Sequence, residues 1–86
     1  MRWRVRLAVL PLDGMRSPEG ETALGALRAL GFTGLEAVTA GKVYEWTTRA
    51  EDAASAEREA HAAAAALLAN PVSERAVVLE VREASR

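Results

Sequence analysis

The sequence predicts an α+β domain of ferredoxin-like type, β-α-β-β-α-β, in which an antiparallel sheet carries two helices on one face. Three observations lead there. The first and last stretches alternate apolar and polar residues at a period of two, two stretches between them carry helical spacing with helical end signals, and a pair of β-type runs separates those two. Two split β-α-β units joined in this order build an antiparallel sheet.

From Trp3 to Leu10, residues Trp3, Val5, Leu7 and Val9 share one face while Arg2, Arg4 and Arg6 share the other, the pattern of a half-buried strand. Pro11 to Arg16 has no periodicity and holds an Asp-Gly pair, so it reads as a loop. Ser17 can cap a helix whose first position is Pro18, and Ala23, Leu24, Leu27 and Leu30 form its apolar stripe. Gly31 stands where a left-handed terminating residue belongs, which ends this helix near Leu30.

Leu35 to Ala40 and Lys42 to Thr48 are the two β-type runs, and the division at Ala40-Gly41 predicts a tight antiparallel hairpin with Gly41 at positive φ. Within the second run Tyr44 and Trp46 share the face expected to meet the core. Ala50 to Ala69 is alanine-rich with strong helix propensity, with Glu51 and Asp52 placed to complement the dipole of the first turn. Asn70 in a left-handed conformation, followed by Pro71, is expected to stop this long helix. A last strand follows, with Val77, Leu79 and Val81 alternating against Val78, Glu80 and Arg82. One domain, residues 1–86, accounts for the whole sequence.

Size and charge bound the function. A chain of 86 residues whose hydrophobic fraction leans on alanine has a thin core and gains by associating with copies of itself, as a dimer or tetramer, or with partners. Lys and Arg total 11 against 12 Asp and Glu, so a nucleic-acid or anionic-membrane partner is not expected. The arginines at the N-terminus break any secretory apolar segment, and no apolar run is long enough to cross a bilayer, so a cytoplasmic location is expected.

Catalysis needs a nucleophile, a tuned acid or base, a metal site or a phosphate cradle. There is no cysteine, and the single histidine, His61, lies mid-helix without a second ligand at helical spacing. Gly41-Lys42 runs into Val43 and a strand, whereas a phosphate-binding loop would open a helix. The carboxylates Glu51, Asp52, Glu57 and Glu59 interleave with Arg58 as a solvated helix surface does. The row Arg2, Arg4, Arg6 either docks an acidic partner or keeps an outer sheet face soluble beside Glu45 and Glu80. No catalytic, cofactor-binding or metal-ligating residue is therefore assigned.

Read together, three motifs resemble the PurS family, the small subunits of bacterial formylglycinamide ribonucleotide amidotransferase, along the length of the chain. Ser17-Pro18-Glu19-Gly20 with Ala26-Leu27 and Leu30-Gly31-Phe32 is similar to the family's first-helix pattern, Gly41-Lys42 to its central Gly-Lys, and Leu67-Leu68-Ala69-Asn70-Pro71-Val72 with Glu74 to its Leu-Leu-Ala-Asn-Pro-Val segment. Ser17 stands where Asp is common, and Thr39 where an Arg often precedes the Gly-Lys pair. The second departure puts in doubt a contact through that arginine and leaves Lys42 as the nearby cation.

The resemblance implies a non-catalytic subunit that joins a glutaminase subunit (PurQ) to a synthetase subunit (PurL). It also implies assistance with ammonia transfer in the ATP- and glutamine-dependent conversion of formylglycinamide ribonucleotide to formylglycinamidine ribonucleotide. ATP and magnesium would then belong to the synthetase subunit, and no cofactor to this chain. Gly41, Lys42, Asn70, Pro71, Arg4 and Arg6 are the candidate assembly residues. An alternative function for the same fold is a regulatory module binding a small ligand between protomers. An acylphosphatase-type enzyme would need an arginine at the first loop beside a strand asparagine, and the sole asparagine, Asn70, is at a helix end.

Overall fold

The computed structural model describes residues 1–84. Strand β1 (Arg2–Pro11) occupies the centre of a three-stranded sheet, flanked by β2 (Lys42–Arg49) and β3 (Glu74–Glu83), both antiparallel to it. Helix α1 (Pro18–Ala29) connects β1 to β2, and α2 (Ala53–Ala63) runs on into a π-helical turn, Ala64–Leu68, before β3.

The β1 alternation is realised as read: Val5, Leu7 and Val9 are buried, and Arg2, Arg4 and Arg6 are exposed on the opposite face. Against the buried face lie Ala56 and Ala60 of α2 and Ala64 at the start of the π-helical turn, spaced four apart, so that methyl groups let the helix backbone settle close to the sheet. Tyr44 and Trp46 flank this core from β2, as expected. Trp3 sends its indole N–H to the Ala50 carbonyl at 3.1 Å, tying β1 to the chain that leaves β2.

The ends of α1 also follow the sequence. Ser17 Oγ accepts from the Gly20 N–H at 3.2 Å, Pro18 opens the helix, and Gly31 leaves it at φ 106°.

Four expectations are corrected. Leu35–Ala40 does not join the sheet, and no hairpin forms at Ala40-Gly41. The Ala40 N–H is taken by Ser17 Oγ at 3.1 Å, which holds this run against α1, and the chain passes through Gly41 directly into β2. Glycine is required at position 41 because a Cβ would overlap the Val9 carbonyl oxygen; the left-handed glycines are Gly14 and Gly31.

The second helix begins at Ala53, later than Ala50, because Asp52 is its N-cap and accepts from the Ser55 N–H at 2.7 Å. It ends when Ala69 becomes extended (φ −126°, ψ 140°), so Asn70 is not the terminating residue. Asn70 acts through its side chain, with Oδ1 accepting from the Val72 N–H at 3.0 Å.

On β3 the register shifts opposite Arg6 and Leu7, with Leu79 as the extra residue. A period of two cannot survive an inserted residue, so the core-facing set is Ala76, Val78 and Val81 in place of Val77, Leu79 and Val81, and Leu79 is half exposed.

The molecule is elongated. Its radius of gyration is 16.1 Å and its extents are 48 × 30 × 15 Å, where a compact chain of this length would measure about 12 Å. Helix α1 buries only Gly20, against the returning 35–40 run, and the Arg28 guanidinium fastens the two by donating to the Leu35 carbonyl at 2.7 and 3.0 Å.

Candidate assembly site

The antiparallel register carries four of the six candidate residues to one end of the sheet. Lys42 opens β2 opposite Val9, while Glu74 opens β3 opposite Pro11. Between these strand ends and the start of α1 lies an open cleft of about 210 Å³, lined by Val9, Arg16, Ser17, Gly41, Lys42 and Glu74. Gly41 forms its floor because only a residue without Cβ can lie on the Val9 carbonyl and the Leu10 side chain. Lys42 is exposed and makes no ion pair among the described residues.

Glu74 links this cleft to the helix-end turn. Its Oε1 accepts from the Asn70 N–H at 2.8 Å, and the Asn70 carbonyl accepts from the Ser73 and Glu74 N–H groups at 3.1 and 2.7 Å. Pro71 stands at the tip of that turn, and with His61, Ala65 and Glu74 it lines a second depression. Asn70 and Pro71 thus present a hydrogen-bonded turn at the same end of the sheet as Lys42, although the sequence separates them by nearly a third of the chain.

Arg4 and Arg6 lie elsewhere, on the open face of the sheet. Arg6 Nε pairs with Glu45 Oε2 at 2.7 Å across β1 and β2, and Arg4 projects nearer the other end. Sequence reasoning missed two residues that share this face, Arg49 and Arg82. Only the strand register places Arg49 opposite Arg2 and Arg82 opposite Arg4. It also missed Glu74 as a cap of the turn, a role that its position four residues after Asn70 could have signalled.

Electrostatically the cleft is mild. Arg16 makes a two-point contact with Glu21 at 3.1 and 3.2 Å, and this hydrogen-bonded pairing holds its guanidinium more firmly protonated. At the far helix, the Ser55 backbone N–H, followed by the Ser55 hydroxyl, keeps the Asp52 carboxyl below the usual carboxylate range. His61 is exposed, 3.6 Å from Glu57, and no group of three metal-ligating side chains occurs among the described residues. The arrangement is suited to contact: exposed cations, a fixed turn and a glycine-floored cleft, with no buried polar group aimed at a ligand among the described residues.

Comparison with known proteins agrees with the motifs. Residues 4–82 match the family model for PurS, phosphoribosylformylglycinamidine (FGAM) synthase. The FGAM synthase subunit PurS of Archaeoglobus fulgidus is 41% identical over 63 residues, covering 73% of this chain and 79% of that one. Among solved structures, Thermus thermophilus PurS superposes with a TM-score of 0.87 at 34% identity, covering 98% of this chain and 99% of the other. A chain of PurLQS from Thermotoga maritima superposes with a TM-score of 0.79 at 28% identity, covering 98% and 99%. On the family match across nearly the whole sequence, the chain belongs to the PurS family of FGAM synthase.

Proposed function

We propose that this chain is the small, non-catalytic subunit of an FGAM synthase complex, joining a PurQ-type glutaminase to a PurL-type synthetase and assisting the passage of ammonia between them. The observation that carries this reading is the PurS match over residues 4–82. The likeness to a chain of Thermotoga maritima PurLQS supports partners of both kinds. Glutamine hydrolysis and ATP-dependent amidine formation are then the work of the larger subunits, and ATP and magnesium are bound there. The compartment is that of the pathway, the cytoplasm.

Gly41, Lys42, Asn70 and Pro71 serve as contact residues. They share one end of the sheet, and the strand register and the turn hydrogen bonds fix their positions without help from a partner. Self-association belongs to the same reading. The α1 stripe is only half-buried and lies apart from the core, with Leu30 exposed, and the 36–39 run leaves its backbone groups unpaired among the described residues.

Reconstitution tests this function. Glutamine-dependent synthesis by the two larger subunits should require this chain, while the chain alone should neither hydrolyse glutamine nor bind Mg-ATP. Lys42→Ala should leave melting unchanged to within about 0.5 kcal/mol and lower glutamine-dependent activity at limiting small-subunit concentration. Full activity of the two larger subunits in its absence would refute the assignment.

A further inference from the structure

On the open face of the sheet the register produces two direct like-charge pairs. Arg2 stands opposite Arg49 across β1 and β2, and Arg4 stands opposite Arg82 across β1 and β3. Opposed residues in an antiparallel pair have Cα atoms only about 4.5–5.5 Å apart, and like charges so placed destabilise a sheet. All four side chains are exposed. Among the described residues Arg2, Arg4 and Arg49 make no ion pair, and Arg82 has only a loose one, its Nε 3.8 Å from Glu80.

The sheet does not lack means to neutralise arginine. One position further along, Arg6 lies opposite both Glu45 and Glu80 and is held by Glu45 at 2.7 Å. The contrast divides the face into a neutralised middle and a bare arginine end, on a molecule whose net charge is −1. The glutamate of the last strand residues, Glu83, pairs with Trp3 in register and so falls on the other face.

We propose that the Arg2, Arg4, Arg49 and Arg82 end of the open sheet face is a docking surface for a carboxylate-rich patch on one of the two larger subunits. This inference rests on the assignment of the chain to the FGAM synthase complex. The occupant follows from charge complementarity. Guanidinium groups pair bidentately with carboxylates and desolvate more readily than ammonium groups. A four-arginine cluster that repels itself in the free chain is relieved when acidic side chains interleave with it. The remaining surface, which carries the balancing negative charge, disfavours a long polyanion such as nucleic acid that would have to run past it.

The test uses the full chain with both larger subunits from the same organism. The double variant Arg4→Thr with Arg49→Thr removes one member of each opposed pair and puts a good strand former in its place. In the free chain at low salt it should melt at a higher temperature than the parent, with the gain fading as salt screens the pairs. In the complex its dissociation constant at about 0.15 M salt should rise tenfold or more, mainly through slower association, and the salt dependence of binding should flatten. The charge-conserving Arg4→Lys with Arg49→Lys should keep most of the parent's salt dependence.

A Thr variant that assembles like the parent with an unchanged salt slope, or that melts below it at low salt, overturns the docking surface. So does binding of a single-stranded RNA 20-mer by the parent more tightly than the larger subunits. Failure of the parent itself to assemble would instead remove the underlying assignment, and the surface with it.

Discussion

Replacing Ala60 by leucine tests whether the alanine stripe sets the distance between α2 and the sheet. Ala60 is 0% exposed, as is Ala56 one turn before it, and both face Val5 and Leu7, also at 0%. Three additional carbon atoms have no solvent to enter, so either α2 lifts from β1 or the leucine takes a strained rotamer. Overpacking of this kind costs about 1–3 kcal/mol. A domain of 86 residues holds roughly 4–13 kcal/mol in all, so the loss is a sizeable share of the total. It should lower the melting temperature by roughly 4–8 °C per kcal/mol. The control is Ala62→Leu on the exposed face of the same helix, which should stay within about 0.5 kcal/mol of the parent. Urea or thermal unfolding followed by circular dichroism at fixed protein concentration measures both. Ala60→Leu melting within a degree of Ala62→Leu would refute the argument that methyl-sized side chains set the spacing.

Gly41→Ala should destabilise by about 1–3 kcal/mol, because its Cβ meets the Val9 backbone oxygen, which cannot rotate away. Gly34→Ala, which opens onto free space at an ordinary φ, should be neutral or slightly stabilising; equal melting temperatures for the two would contradict this. The Asp52 cap gives a pH dependence. Because the folded-state carboxyl is depressed by the Ser55 N–H, its contribution is fully present above the unfolded value of about 3.9 and is lost as pH falls through the folded value. The melting-temperature difference between the parent and Asp52→Ala should therefore hold steady from pH 7 to 5 and shrink below about pH 4; a constant difference down to pH 2 would refute the capping account.

The sequence alone determined what depends on neighbours along the chain. The β1 alternation, the Ser17-Pro18 start and Gly31 exit of α1, the helical character of the alanine-rich stretch and the inward Tyr44-Trp46 pair all follow from local periodicity and local end chemistry. So did the family, through motifs that local folding keeps intact. The tertiary structure decided what depends on which strands pair and where they slip. Leu35–Ala40 has the composition of a strand, yet Ser17 Oγ and Arg28 hold it to α1 and no neighbouring strand reaches it. The Leu79 bulge inverted the faces of β3, since one inserted residue changes the parity of every position on one side of it. The same register brought Lys42 and the Asn70 turn to one end of the sheet and gathered four arginines at the other. Their positions along the chain say nothing of this, because opposition across strands is set by the pairing partner and not by the residue itself.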